Sequence, residues 1–186
     1  MSNLQKHAAI EPAIPAIPLM PRDSNWYAIY SVARHEKQVA RQLQEKGVFS
    51  FLPLLQQVHR WSDRRCKIDV PLFSCYAFVR IVPTAENRVQ VLRTPGVLGF
   101  VGSEKQGTPI PEEQIENLRA AVRSGVSVDG HPYLKAGQKI RIRGGSLNGV
   151  EGILMRNCSG QKLVLSLELL KQSVSVKIDG YGFDLV

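Results

Sequence analysis

Several features that mark secreted and membrane proteins are scarce in this sequence. It has three cysteines among 186 residues, Cys66, Cys75 and Cys158, and their odd number without a CxxC spacing argues against a disulfide framework or a zinc site. The longest apolar stretches are cut by prolines or charges well short of the ~20 residues of a membrane-spanning helix. No cleavable apolar leader is recognisable at its start. We therefore expect a cytoplasmic protein with no membrane partner.

Motifs that support catalysis are also missing. The sequence has no phosphate-binding loop, dinucleotide glycine pattern, metal-ligand spacing or nucleophile elbow, and the glycine-rich "GGSLNG" lacks the lysine of a phosphate loop. A nuclease would need acidic clusters that are not found. The sequence thus predicts a protein that is not an enzyme and that uses no cofactor and no metal.

Positive charge is in excess. The formal net charge is +8 and the isoelectric point is about 9.6. Such a chain attracts anionic partners, and nucleic acid is favoured over a membrane surface because no amphipathic basic helix stands out. Charge of this size also occurs in proteins that bind no polynucleotide, so both interpretations stay open.

The pattern of prolines and apolar periods predicts an ordered region after a tail. Residues 1–24 alternate proline with alanine and isoleucine ("IEPAIPAIPLMPRDS"), which forbids helix and predicts a disordered or extended tail. From residue 25 to residue 125 the order is strand, helix, strands, helix, strand, helix. One predicted helix places Val39, Ala40 and Leu43 on a single face, and another begins at Thr84 with Val89 and Leu92 on one face.

A second, smaller domain is predicted after a linker. Residues 126–136 are rich in turn formers and define no element. Residues 137–186 contain short alternating runs such as "KIRIR" and "LVLSL", in which Ile140 and Ile142 point one way and the intervening cations the other. Several short strands in so small a domain favour a closed barrel over an open sheet.

These segments together resemble the NusG family. "NWYAIYSVARHEKQVARQLQEKG", "WSDRRCKIDVPLFSCYAFVRI" and "LRTPGVLGFVG" are similar in order and spacing to the NusG amino-terminal (NGN) domain, and "KAGQKIRIRGGSLNGVEGIL" resembles a KOW motif. The resemblance implies an α+β fold, with an antiparallel sheet and flanking helices followed by an SH3-like five-stranded β-barrel. The sequence pattern "WSDR…PLF…Y.FV" most resembles the UpxY branch of the family. Members of that branch are antiterminators, similar in role to RfaH, that serve surface-polysaccharide operons.

The resemblance also implies a function and a binding surface. Members of the family are elongation factors that dock an apolar patch on the clamp helices of the largest RNA polymerase subunit and suppress pausing and termination. The positions that match this patch are Tyr30, Phe73, Tyr76 and Phe78. Aromatic side chains make good interface anchors, although side chains on strands equally serve cores. Where the family usually has Pro-Gly between phenylalanine and tyrosine, this chain has Ser74 and Cys75. Glycine would tolerate backbone angles that Cys75 would not, so the turn geometry stays open, and the strand after it is still expected.

Two further surfaces are candidates for binding. A predicted hairpin tip could meet phosphates of non-template DNA or nascent RNA and stack a base, or could be a solvated turn; its residues are Arg60, Trp61, Arg64, Arg65 and Lys67. In the KOW domain, Leu169 and Leu170 lie where general members of the family dock Rho or a small-ribosomal-subunit protein, without the usual phenylalanine. The expected state is a monomer. The alternatives are a general housekeeping factor of the family and a ribosomal or RNA-binding protein that uses the KOW barrel.

Overall fold

The computed structural model describes residues 23–60, 65–102, 106–126, 128–131, 137–157 and 160–186. These residues form two compact units. The first unit comprises residues 23–54 and 71–112, and the second comprises residues 55–70 and 113–186 with the gaps just given. No helix among the described residues is long and apolar enough to cross a membrane.

The first unit is a sheet with two helices. Its strands are β1 (Asn25–Ser31), β2 (Phe49–Phe51), β5 (Tyr76–Ile81), β6 (Val97–Phe100) and β7 (Pro109–Ile110). The helices are α1 (Glu36–Glu45) and α2 (Ala85–Leu92). The strands lie in the order β2-β5-β1-β6, β7 also pairs with β1, and every pairing is antiparallel. Central β1 and β5 therefore have hydrogen-bonded neighbours along both edges.

One face of this sheet packs with the helices into a core. Alternate side chains of β1 and β5, including Ile29 and Val79, join the buried face of α1. That helix buries Val39, Ala40 and Leu43, as its sequence period predicted. Burial of such side chains contributes about 1.5–3 kcal/mol each. The core fixes which sides of β1 and β5 face away from these helices.

Helix α2 departs in part from its predicted pattern. Its amino terminus is capped as predicted, since the backbone amide of Asn87 donates to Thr84 Oγ1 at 3.3 Å. The expected apolar stripe of Val89 and Leu92 is exposed, however, and the helix buries Val91 instead. A short helix with few apolar residues can bury either of two adjacent faces, and only packing against β6 decides between them.

The second unit contains a hairpin, a helix and a sheet. The hairpin consists of β3 (Leu54–Arg60) and β4 (Arg65–Pro71), which pair as a two-stranded sheet, and the helix is α3 (Glu112–Arg123). The remaining strands are β8 (Val128–His131), β9 (Gln138–Arg143), β10 (Glu151–Asn157), β11 (Gly160–Leu167), β12 (Gln172–Lys177) and β13 (Gly182–Leu185). The predicted helix stripe of α3, Ile115, Leu118 and Val122, is buried.

The carboxyl-terminal strands confirm the predicted fold class. Strands β9 to β13 are antiparallel and lie in the order β13-β9-β10-β11-β12. Ile140 and Ile142 are buried while the cations between them are exposed, as their alternation predicted. Gly152 is required for close approach, because a Cβ there would lie 2.6 Å from the carbonyl oxygen of Val164.

Strand β8 is an addition to the prediction. It lies within residues 126–136, where the sequence indicated no element, and pairs with the free edge of β12 from Val176 to Ser173. A strand of four residues has too short a pattern to be recognised without its partner. The unit division also groups the hairpin and α3 with these strands. The boundaries predicted at residues 125 and 137 stay a prediction.

Candidate functional site

The second face of the first sheet carries the candidate site. Antiparallel register places Ala28 opposite Phe78 and Tyr30 opposite Tyr76. All four side chains share the face that points away from α1, because side chains alternate along a strand. This face changes character along its length, from buried aromatics in the middle to exposed ones at the Tyr30 end.

Tyr30 and Tyr76 form an exposed aromatic pair. Their ring centroids are 5.3 Å apart and their planes are inclined at 55°. Tyr30 is 43% exposed, and Tyr76 is half-buried. Within the part of the chain that the structure describes, neither hydroxyl has a hydrogen-bond partner. The pair therefore presents two apolar ring surfaces and two free O–H groups, the combination that makes tyrosine effective at interfaces.

Phe73 and Phe78 were predicted as contact residues, but the structure places them in the interior. Their exposed fractions are 2% and 0%. Phe78 stacks on Phe51 with centroids 6.0 Å apart, and Phe73 meets its edge at 6.2 Å. Phe78 is on the same strand face as Tyr76 but lies in the middle of the sheet, where neighbouring strands supply rings to cover it. These two residues therefore offer no surface of their own to a partner.

The turn before Tyr76 is formed without glycine. Cys75 adopts φ 66°, a left-handed conformation that glycine occupies without strain. Its carbonyl accepts from the Ser31 amide at 2.8 Å, and the Tyr76 amide donates to the Phe73 carbonyl at 3.3 Å. The left-handed conformation of Cys75 is therefore strained. It directs the chain into β5, so that the Tyr76 ring lies beside Tyr30.

A buried carboxylate ties this turn to helix α1. Glu36 Oε1 accepts a hydrogen bond from the Cys75 amide at 2.8 Å, and the Glu36 side chain is buried. Glu36 is also the first residue of α1, where the positive end of the helix dipole stabilises a negative charge. Sequence reasoning did not identify Glu36, because its partner lies 39 positions along the chain.

The environment of the pair affects its ionisation. Burial raises the pKa of Tyr76 above its usual value of 10.0, and the neighbouring Tyr30 and Cys75 raise this pKa further. Tyr76 is therefore a neutral hydrogen-bond donor throughout the physiological range. A neutral phenol can be covered by a partner without the large cost of burying a charge.

Leu98 extends the surface and was also missed. The pairing of β1 with β6 contains an irregularity, so that Tyr30 lies opposite Gly99 while Ser31 lies opposite Val97. Leu98 is the extra residue of this bulge and is 59% exposed. Bulges at sheet edges commonly redirect a side chain. We refer to Tyr30, Tyr76 and Leu98 as the tyrosine surface.

The opposite end of the same face is polar. Arg80, which lies opposite Trp26, makes an ion pair with Glu112 at 2.8 Å, and its Nε donates to Ser24 Oγ at 3.0 Å. The Arg80 side chain is mostly covered. Phe49, opposite Arg80, is half-buried against Trp26, whereas the more exposed ring of Tyr30 lies at the other end of the face.

The basic hairpin tip is described only in part. Trp61 and Arg64 lie outside the described residues, while Arg60 ends β3 and Arg65 begins β4. The backbone thus places Arg60 and Arg65 at the tip, as predicted. The side chain of Lys67 is exposed.

The two candidate leucines of the carboxyl-terminal sheet differ in accessibility. Both lie in the turn between β11 and β12, where Leu169 is partly exposed and Leu170 is buried. Leu170 therefore serves the interior, and Leu169 alone is available to a partner in this conformation.

The row of cations on β9 is largely compensated. Arg141 forms an ion pair with Glu151, and Arg143 forms one with Asp184. Each arginine that is already paired with a carboxylate has less attraction for a phosphate. This arrangement favours the interpretation that the row keeps a small domain soluble over the interpretation that it binds RNA.

The architecture defines a class of protein: a small α+β unit with an exposed aromatic surface, connected to a sheet of short antiparallel strands. Comparison with known proteins identifies the family. The profile of the family described as "Transcription termination factor nusG" matches residues 24–119, slightly more than half of the 186 residues. The chain belongs to the NusG family.

Relatives of known name match most of the chain. The transcription termination/antitermination protein NusG of Lactococcus lactis is 24% identical, with 87% of this chain and 92% of that protein covered. The protein of the same name from Staphylococcus aureus is 27% identical, with 83% of this chain and 91% of that protein covered. A solved structure on domain interaction in Thermotoga maritima NusG is 18% identical, covers 82% of this chain and 92% of that chain, and has a TM-score of 0.47.

Proposed function

We propose that this protein is a transcription elongation factor that binds RNA polymerase through the tyrosine surface and suppresses pausing and termination. The observation that carries the proposal is the pair of tyrosines left exposed at the end of an otherwise covered sheet face, with 43% of Tyr30 accessible. Family membership supplies the partner, since the named relatives are termination/antitermination proteins. The contact on the polymerase is the pair of clamp helices of its largest subunit.

The chemistry of the surface suits a helical partner. Tyrosine buries a large area at low entropic cost, because only two side-chain angles must be fixed. The rings of Tyr30 and Tyr76 pack against each other, with centroids 5.3 Å apart, so they offer a partner one continuous aromatic patch. Buried Phe73 and Phe78 pack against each other next to this end of β5, and the Glu36 carboxylate holds the turn before Tyr76. A preorganised surface of this kind loses little freedom on binding.

The effect on transcription follows from differential binding. A factor that holds the clamp in one position stabilises the productive state relative to an opened, pause-prone state. It can shift that equilibrium only by the difference between its affinities for the two states. No catalytic step is needed.

The specialised branch is the finer part of the proposal. The "WSDRR" hairpin supplies cations at its tip that can meet the displaced non-template strand, and Leu169 offers only a small apolar contact to Rho or a small-ribosomal-subunit protein. These features support action at a dedicated operon, such as one for surface polysaccharides. The alternative is a general factor of the family. The relatives named above support it, because their names mention no particular operon.

The test is direct binding of the full chain to RNA polymerase core enzyme. Removing a central aromatic anchor typically costs about 2 kcal/mol or more, so Tyr76→Ala and Tyr30→Ala should each raise the Kd roughly 30-fold. Leu185→Ala is the matched control, because it removes an exposed apolar side chain from the second unit. Circular dichroism would verify that each variant is folded.

The outcomes separate the proposal from its rivals. Unchanged polymerase affinity in both tyrosine variants would refute the docking surface. Tight RNA binding by the full chain that survives Tyr76→Ala and is lost on Lys139→Ala would favour the RNA-binding alternative. Readthrough of a terminator in a purified transcription reaction, reduced by Tyr76→Ala but not by Leu185→Ala, would link the surface to antitermination.

A further inference from the structure

A cation lies in the turn that leads away from Tyr30. The turn spans residues 32–35, and it is closed by the amide of His35, which donates to the carbonyl of Val32 at 3.1 Å. Arg34 is the third residue of this turn, its side chain is exposed, and its φ is 65°. That conformation suits glycine and is strained for an arginine. A turn selected for stability alone would have glycine at this position.

A second cation lies in helix α1 beside the same end of the sheet. Glu36, the residue before it, accepts a hydrogen bond from the amide of Cys75 at 2.8 Å, and Cys75 directly precedes Tyr76. Lys37 is exposed and lies in the first turn of the helix, where the positive end of the helix dipole opposes a positive charge. It also precedes Arg41 by four residues, and like charges at that spacing on a helix repel each other. Both features make a lysine unfavourable here.

Neither of these two cations is neutralised within the described part of the chain. Arg34 and Lys37 form no ion pair and no side-chain hydrogen bond there. Other cations of the first unit are engaged, since Arg41 pairs with a carboxylate at 3.5 Å and Arg80 with another at 2.8 Å. The neighbouring carboxylate, Glu36, is 5% exposed and is bonded to the turn before Tyr76. The charge beside the tyrosine surface is therefore available to a partner.

Positive charge that is kept against local stability indicates a use for the charge, because sequences break such local rules chiefly at functional sites. A protein interface has an apolar centre and a polar rim. Neutral tyrosines with cations beside them have that arrangement. A nucleic-acid surface usually draws on more cations than two. The observations thus favour a protein partner that carries carboxylates.

We propose that Arg34 and Lys37 form a cationic rim of the tyrosine surface, and that this rim contacts carboxylates which flank the apolar contact on the partner. The inference rests on the proposed function, because it takes RNA polymerase as the partner. Exposed charges act over a distance and are screened by salt, so the rim contributes mainly to the rate of association and to the choice of partner.

The test is binding of the full chain to RNA polymerase core enzyme that holds no nucleic acid, measured at low and at high salt. The double variant Arg34→Gly/Lys37→Gln should raise the Kd at low salt roughly 2- to 30-fold, because each exposed charge contributes modestly. Its association should be slower, and its difference from the parent should shrink at high salt. Lys37→Glu should weaken binding more than Lys37→Gln does, since a carboxylate then faces carboxylates.

Arg41→Ala is the matched control for the charge. It removes one positive charge from the same helix, but that charge is already paired with Glu45 and lies about one turn further from the tyrosine surface. It should therefore change the Kd less than Lys37→Gln does. An equal effect of both variants would show that only the net charge matters, and the rim would be wrong.

Thermal stability separates the rim from a structural role. Lys37→Glu places a negative charge at the positive end of the helix dipole and four residues before Arg41, so the Tm should rise by about 1–5 °C. Arg34→Gly relieves the left-handed conformation and should also raise the Tm. Stability and affinity thus change in opposite directions. If Tm and affinity fall together, Arg34 and Lys37 serve the fold and the proposal is overturned.

The remaining outcomes distinguish this proposal from the proposed function. If the rim variants keep the Kd and salt dependence of the parent while Tyr76→Ala weakens binding, the tyrosine surface docks without a rim and only this proposal fails. If Tyr76→Ala leaves binding unchanged, the docking surface itself is wrong and its rim with it. Binding of a single-stranded DNA oligonucleotide that falls in the double variant, with polymerase affinity unchanged, would assign the two cations to nucleic acid instead.

Discussion

Cys75 offers a stability test of how the turn before Tyr76 is built. Its φ of 66° lies in the left-handed region, which costs an L-residue about 1–2 kcal/mol. Glycine avoids that cost but loses about 0.5–1 kcal/mol more conformational entropy on folding than alanine does. The difference predicts that Cys75→Gly stabilises the protein by about 0.5–1 kcal/mol. For a chain of this length the corresponding rise in Tm is about 1–4 °C.

Cys75→Ala is the control for this prediction. Alanine removes the thiol just as glycine does but keeps the Cβ and therefore the strain. The free energy of unfolding should rank glycine above both cysteine and alanine, measured by urea denaturation and by calorimetry. The hydrogen bonds of Cys75 to Glu36 and Ser31 use backbone atoms, so they persist in both variants. If the alanine variant equals or exceeds the glycine variant in stability, the turn is not strained and the reasoning fails.

Four other predictions concern the same surface. Glu36→Ala removes a charge-assisted hydrogen bond to a partly buried turn and should lower the free energy of unfolding by about 1.5–3 kcal/mol. Glu36→Gln keeps an acceptor, so equal losses for both in urea denaturation would contradict the assigned role. Tyr30→Phe should lower the pKa of Tyr76, read from tyrosinate absorbance, while burial keeps that pKa above 10.0. Because folding raises this pKa, the stability that the neutral Tyr76 hydroxyl contributes is intact below about pH 10 and is lost as the pH rises through the folded-state value. If Tyr76→Phe leaves the alkaline unfolding curve unchanged, this pH dependence does not come from Tyr76. Phe78→Ala should lower the free energy of unfolding by about 3–5 kcal/mol, because it removes a buried aromatic ring, and Tyr76→Ala should lower it clearly less. Equal losses in calorimetry would contradict the assignment of Phe78 to the interior and Tyr76 to the surface.

The sequence was most informative where a local pattern suffices. The 3.6-residue period predicted the buried face of α1, and Thr84 was recognised as a cap because a hydroxyl at that position satisfies a free amide of the first turn. Alternation predicted that Ile140 and Ile142 face inward. The joint spacing of several segments predicted the family, which the match over residues 24–119 confirms.

The candidate site was predicted less completely. Tyr76 and Phe78 have the same strand parity, so no sequence pattern distinguishes the exposed ring from the buried one. Phe51, which stacks on Phe78, comes from a distant strand, and Phe73 of the preceding turn meets the edge of Phe78. The same applies to α2, where Val89 and Leu92 share a helix face that the fold leaves exposed. Strand β8 was missed because its only regular feature is its pairing with β12.

By itself, then, the sequence determined the order of most elements and the inward faces of the long helices and strands, because these depend on neighbours within a few residues. It also indicated the family, through the resemblance of several segments taken together. Only the tertiary structure decided that Tyr30 is exposed and Tyr76 half-buried while Phe78 on the same face is buried, and that Glu36 holds the turn at Cys75. Exposure depends on which distant segments come to cover a side chain. A hydrogen bond across 39 positions forms only once the sheet and helix have been brought together.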